Sequence, residues 1–301
     1  MKNAVIAALF LAFAAPCSVS AKPRLKGGLT PVFGSNDYEG WNGFLALGTD
    51  HFSLSPEFRT YQFKGSNGRF NAASMRAGYD MRWFGMGLSG GRAFPKNGYS
   101  SVFGGGDFAF TISPLGDKGI RRIGGSGRGG APVGKGIARI DFGGGFKATA
   151  HKQVTAGAAD TKLTERELHG FVGASVLGVL VSGRLAKYDY SSDLRTTAAL
   201  PNTSWTPLVG HMNSANGFAD TSFHANVEVP FFPMIRPFAN YTFTQYEPLT
   251  GGAQPGDSKA YAAGVRIGLE LVAVEASYQH VNITGAAAEQ NFYTVTAGLR
   301  L

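Results

Sequence analysis

The residues with reactive potential in this chain do not assemble into a catalytic set. His211 and Ser214, followed by Asn216-Gly217, offer a base and a nucleophile, and such a pair works only when the two side chains reach each other. On a strand, residues three apart point to opposite faces. The neighbouring Trp205-Thr206-Pro207 and Gly210 read as loop. His51, His151, His169, His224 and His280 show no metal-ligand spacing. Gly125-Ser126-Gly127-Arg128-Gly129-Gly130 is formally a GxGxxG, and Gly129 to Lys135 is a near phosphate loop that ends in Gly136 where Ser or Thr is needed. Both motifs require a strand before and a helix after, and no amphipathic helix follows. With glycine at 43 of 301 residues, a three-glycine pattern is expected about once by chance. No catalytic residue, cofactor or metal ligand is assigned. What recurs instead is charge set among small and polar residues that alternate with apolar ones. Arg76, Asp80, Asp107, Arg139, Asp141, Lys147, Arg184, Glu228, Arg236, Arg266 and Glu275 stand in this way.

Composition narrows the classes that place such charges. Charged residues are 16% of the chain, aromatic residues 12%, and the mean hydropathy is −0.05. A disordered chain carries more charge and fewer aromatics. Glycine has no three-residue period, which excludes collagen. After residue 21 no apolar run approaches the ~18 residues of a membrane helix. Many short strands fit what remains.

Met1–Ala21 reads as a secretory signal peptide: Lys2 supplies the positive end, Ala4–Ala15 the apolar stretch, and Val19-Ser20-Ala21 the small residues before cleavage. Removing it takes away the one cysteine, Cys17, and the single charge of Lys2, so the net charge falls from +8 to +7. An exported chain of this kind holds together without disulfides.

The rest alternates with period two. In Ile137–Ala150 one face is Ala138, Ile140, Phe142, Gly144, Phe146 and Ala148, and the other Arg139, Asp141, Gly143, Gly145, Lys147 and Thr149. Asn71–Trp83, Thr221–Phe231, Ala260–Glu270 and the last residues up to Leu301 behave alike. Weaker alternation marks Phe52–Phe63, Trp83–Arg92, Ser101–Ile112, Glu167–Val176, Val179–Tyr190, Ile235–Tyr246 and Val272–His280. Each is about as long as the ~9–11 residues of a tilted membrane strand. Connections are very short (Leu177-Gly178, Phe232-Pro233-Met234, Leu271) or long and polar (Gln153–Leu163, Ser191–Ala219, Glu247–Lys259, Asn282–Asn291), and in the second half they alternate. A transmembrane barrel has such asymmetric ends. Aromatics near strand ends, among them Tyr61, Phe63, Trp83, Tyr188, Tyr190, Phe231, Phe232, Tyr246 and Tyr293, read as interfacial girdles.

On this pattern the chain resembles the outer-membrane β-barrel proteins of Gram-negative bacteria. The alternation of the final segment is theirs, although it ends on Leu301 where they commonly end on an aromatic residue. The resemblance implies an all-β, antiparallel up-and-down transmembrane barrel in the outer membrane. It also implies contact with outer-membrane lipid and lipopolysaccharide, and insertion by the barrel-assembly machinery; nucleic acid is not an expected partner. Outer-membrane phospholipases and omptin-like proteases are the enzymes of this architecture, and His211–Gly217 fits the phospholipase His-x-Ser pattern poorly.

Twelve strands over 51–301 are the preferred count. Lys22–Asp50 is left as a periplasmic segment or an extra hairpin, Leu29–Phe33 with Trp41–Leu47, which would make fourteen; Pro31 argues against it. Ser113–Gly136, with a net charge of +4, falls at the periplasmic end by parity. The eleven charged residues named above are expected to line the lumen. Near-balance of sign there suggests ion pairs across it in place of an ion-selective ring. The expected function is passive passage of small hydrophilic solutes. The alternatives are a non-conducting barrel acting through its external loops and, less favoured, a lipid hydrolase.

Overall fold

A strand with one polar and one apolar face is stable only when each face meets its own medium. The computed structural model describes residues 24–49, 51–64, 68–81, 83–113, 138–154, 156–157, 159–192, 218–232, 234–248, 256–269, 271–285 and 289–300. The strands are β1 (Arg24–Gly34), β2 (Tyr38–Gly48), β3 (Phe52–Gln62), β4 (Phe70–Asp80), β5 (Phe84–Lys96), β6 (Tyr99–Ile112), β7 (Ala138–Gln153), β8 (Thr161–Val176), β9 (Val179–Tyr190), β10 (Ala219–Glu228), β11 (Ile235–Tyr246), β12 (Ser258–Gly268), β13 (Val272–Ile283) and β14 (Gln290–Arg300). Each pairs antiparallel with its neighbours in the chain, and β1 pairs with β14 to close a fourteen-strand barrel. An 11-residue strand rising ~3.3 Å per residue and tilted ~40° spans about 28 Å along the barrel axis, enough for an apolar band of ~25 Å.

The fourteen-strand arrangement corrects the preferred count of twelve. Leu29–Phe33 and Trp41–Leu47 lie within β1 and β2, so most of Lys22–Asp50 is barrel wall. Pro31 is tolerated because the β1–β14 ladder passes from Leu29–Ala297 to Val32–Thr294, while the β1–β2 ladder is unbroken. The residue without an N–H sits where one ladder is already interrupted. Pro56 uses the same device: the β2–β3 ladder is interrupted between Phe44–Glu57 and Leu47–Leu54 with its register kept.

An even strand number brings both ends of the chain to one rim, where Lys26 lies opposite Arg300. The β2–β3, β4–β5, β6–β7, β8–β9, β10–β11 and β12–β13 connections share that rim; the β1–β2, β3–β4, β5–β6, β7–β8, β9–β10, β11–β12 and β13–β14 connections share the other. Two-residue turns occur at both rims, Leu177-Gly178 and Asn97-Gly98, each with positive φ at both positions, as the twist of a tight hairpin demands. The proposed signal segment Met1–Ala21, the glycine-rich motifs of Gly125–Gly136 and His211–Gly217 lie outside the described residues.

The outer face is apolar. Leu168 and Phe146 are 69% and 61% exposed, and Leu88, Phe108, Val172, Leu185, Val295 and Leu299 stand on the same surface. An apolar surface that encircles a protein is far larger than the patches water tolerates, so this face belongs in lipid. The alternate residues turn inward and are largely buried, Asp141 and Glu167 at 0% and 4% exposure among them.

Candidate functional site

The inner wall carries polar networks tied across strands. Arg76 on β4 reaches past β5 to Asp107 on β6 and binds it with both terminal nitrogens, Nη1–Oδ2 at 2.5 Å and Nη2–Oδ1 at 2.7 Å. Gly87 makes the crossing possible: a Cβ there would stand 2.1 Å from Arg76 Nη1. Arg139 Nε donates to both oxygens of Asp141 at 3.0 and 3.1 Å, and Thr111 Oγ1 donates to Asp141 at 2.7 Å. Glu167 accepts from Lys147 Nζ at 2.6 Å and from Arg184 Nη2, with His169 Nδ1 3.1 Å away. Glu228 faces Arg236 at 3.5 Å and Arg266, whose Nε donates to Glu275 at 2.7 Å. The Arg266 guanidinium also lies 4.4 Å from the centre of the Phe238 ring. Glu57 accepts from Arg59 Nε at 2.9 Å and from Asn42 Nδ2 at 2.7 Å.

All eleven residues expected from the sequence share the inner face. Ten of them fall into these networks: Arg76 with Asp107, Arg139 with Asp141, Lys147 and Arg184 at Glu167, and Glu228 with Arg236, Arg266 and Glu275. Asp80 ends β4 on the Arg76 face, its N–H bonded to His51 O at 2.7 Å. Every cation of these networks has a carboxylate partner, Lys147 and Arg184 sharing one, so the wall mixes both signs and is not a ring of one sign. Beyond the Glu228–Arg236 pair, toward the rim opposite the termini, β10 and β11 meet through uncharged groups: Ser222 meets Thr244 at 3.2 Å, His224 Nδ1 meets Thr242 Oγ1 at 3.0 Å, and Asn226 pairs with Asn240.

The sequence reading missed Glu167, Glu57 and Arg59. Strand β8 begins at Thr161, six residues before the expected Glu167. The alternation Leu163, Glu165, Glu167, His169, Phe171 was there to be found, but Arg166 on the other face hides it.

The girdle expectation divides. Trp83, Phe231, Phe232 and Tyr293 are exposed, as a girdle requires, whereas Tyr61, Tyr188 and Tyr246 are buried on the inside, and Phe63, although exposed, stacks on Phe70 of the inner cluster at 5.8 Å. Near the rim opposite the termini, Val32, Tyr38, Tyr61, Ala260, Val281, Ile283 and Phe292 pack as one cluster, joined by Phe70. Tyr38 meets Phe292 edge-on at 5.4 Å and Tyr61 stacks on Phe70 at 5.0 Å between ring centres. Across the barrel, Phe218 stands edge-on to His151 and Tyr190 at 5.8 and 5.5 Å.

No protein-family model matches the chain, and no curated protein matches it. Solved structures do. The chain is similar in structure to bacterial outer-membrane porins and channels. A loop-deletion form of OmpT, an outer-membrane protein of Vibrio cholerae, is 12% identical, with 94% of this chain and 100% of that one covered at a TM-score of 0.48. The NanC porin is 10% identical over 91% and 100% of the two chains at 0.46. OprD from Pseudomonas aeruginosa is 9% identical over 94% and 96% at 0.44. These are likenesses of fold; the fourteen-strand closure rests on this chain's own ladders.

Proposed function

We propose that the protein is an outer-membrane channel for small hydrophilic solutes, exported through Met1–Ala21, with the termini rim in the periplasm. Its surroundings are then outer-membrane lipid and lipopolysaccharide, and its insertion falls to the barrel-assembly machinery. The observation that carries this reading is the inner wall of paired charges, amides and hydroxyls. A barrel needed only as a scaffold would be as stable with an apolar filling, because buried ion pairs seldom outperform well-packed apolar residues. A hydrophilic wall has its use when water and solutes meet it. The pairs also leave no field of one sign, which fits passage without strong ion selection. The residues proposed to line the route are the eleven charged ones, with Glu57, Arg59 and Glu167 added.

A second reading, a closed barrel that acts through its external connections, is favoured by one observation: the inner cluster around Val281 has no exposure at Val281 or Ala260. Proteoliposome swelling separates the two. Uncharged solutes of rising size should enter at rates that fall with size if the lumen conducts. Swelling no faster than in protein-free vesicles, from protein shown to be folded, would refute the channel.

A further inference from the structure

Every strand but β7, which presents His151, turns an apolar or aromatic residue inward near the rim opposite the termini. Together they form a collar inside the mouth. On the β12–β4 side it is the packed cluster around Tyr38, Tyr61 and Phe292; on the other side its rings include Tyr99, Tyr190 and Tyr246. Several hydroxyls there are occupied: Tyr99 Oη lies 2.8 Å from His151 Nδ1, Tyr246 Oη 2.8 Å from Ser258 Oγ, and Tyr190 Oη donates to Ala219 O at 2.6 Å. Two polar groups in the same zone keep unused capacity. Gln279, 1% exposed and beside Phe292 in register, has no hydrogen-bond partner at Oε1 or Nε2, and the hydroxyl of Tyr188, 3% exposed and beside the Arg184 guanidinium, finds no acceptor for its own proton. Buried polar groups are rarely left this way, and a partner arriving from outside would satisfy both.

We infer that this collar is a binding and selection site for solutes that carry a ring with an apolar face and hydroxyls at its rim, such as a sugar or a phenol. The inference rests on the channel reading and names the solute class. Aromatic walls offer a ring-shaped solute a stacking surface, while Gln279 and Tyr188 supply the donors and acceptor that its hydroxyls need. A hydrated ion gains nothing from the same wall and must pass an apolar constriction, where water itself is poorly held.

The test is planar-bilayer recording of the folded protein in KCl with maltotriose, resorcinol or sorbitol added. Sorbitol carries hydroxyls on an open chain and serves as the ringless control. Maltotriose or resorcinol should block the current at concentrations where sorbitol does not, and whichever blocks identifies the sugar or the phenol as the fitting ring. Tyr61→Ala with Phe292→Ala should raise KCl conductance at least about twofold and weaken the block about tenfold. Tyr188→Phe keeps the ring, guards against a folding defect, and should weaken the block several-fold, as should Gln279→Leu. Current without any preference for rings, or block unchanged in these variants, overturns the inference and leaves the channel standing. No current from the native chain or the Tyr61→Ala, Phe292→Ala protein, with both folded by heat-modifiable mobility, overturns both.

Discussion

Gly87→Ala should act on Arg76 of the neighbouring strand, by breaking the Arg76–Asp107 pair that crosses over it. The added methyl would stand 2.1 Å from Arg76 Nη1 and 2.3 Å from Nη2. Ordinary contact begins near 3.4 Å, so the guanidinium must retreat by about 1 Å or more, and neither of its short bonds to Asp107 survives that shift. Breaking a fully buried pair costs about 3–5 kcal/mol. Arg76 is 28% exposed in its side chain, so water recovers part of this, and about 2 kcal/mol is the expected loss. Arg76→Ala should cost a similar amount by leaving Asp107 without its partner. In the double variant the methyl meets no guanidinium and should add nothing. A double-mutant cycle in urea, read by heat-modifiable mobility in lipid, should therefore give a coupling of about 2 kcal/mol, well above the ~0.5 kcal/mol expected of independent sites. Additive losses would show that Gly87 matters for its backbone and not for the crossing.

Arginine at an outward, lipid-facing position should be costly. Val265→Arg and Val227→Arg should each lower stability by about 2–4 kcal/mol, whereas Asn226→Thr on the inner face should leave insertion near normal; equal tolerance of both faces in a membrane-insertion assay would contradict the orientation. Glu167→Gln removes the one carboxylate that Lys147 and Arg184 share, so the reversal potential in a salt gradient should move toward anion preference, and Arg184→Ala should move it the opposite way. Shifts of the same sign in both variants would deny those residues a place along the ion path.

Alternation made the barrel legible, because Ala138, Ile140 and Phe142 set against Arg139, Asp141 and Gly143 can serve only a wall between unlike media. Pairing partners were not legible. That Arg76 finds Asp107, two strands away, depends on registers set by turns such as Asn97-Gly98, and on Gly87 being small enough to pass over. Strand β8 was shortened in the reading because near its start both faces are polar: Glu165 and Glu167 turn inward, and Thr164 and Arg166 outward. The first hairpin was discounted for Pro31, whose cost vanishes at an interrupted ladder. The collar was hidden for a different reason. A tyrosine near a strand end suits a lipid interface as well as an inner mouth, and only one residue of parity separates the two, as the buried Phe292 and the exposed Tyr293, neighbours on β14, illustrate.

Single-channel recording of the purified, folded protein in a planar bilayer tests the central claim most directly, since the paired charges of the inner wall are argued to serve a water-filled route. Discrete current steps from the native chain, enlarged in the Tyr61→Ala, Phe292→Ala variant, are the predicted result. A silent membrane with both proteins inserted would contradict the channel and make the inner networks a filling.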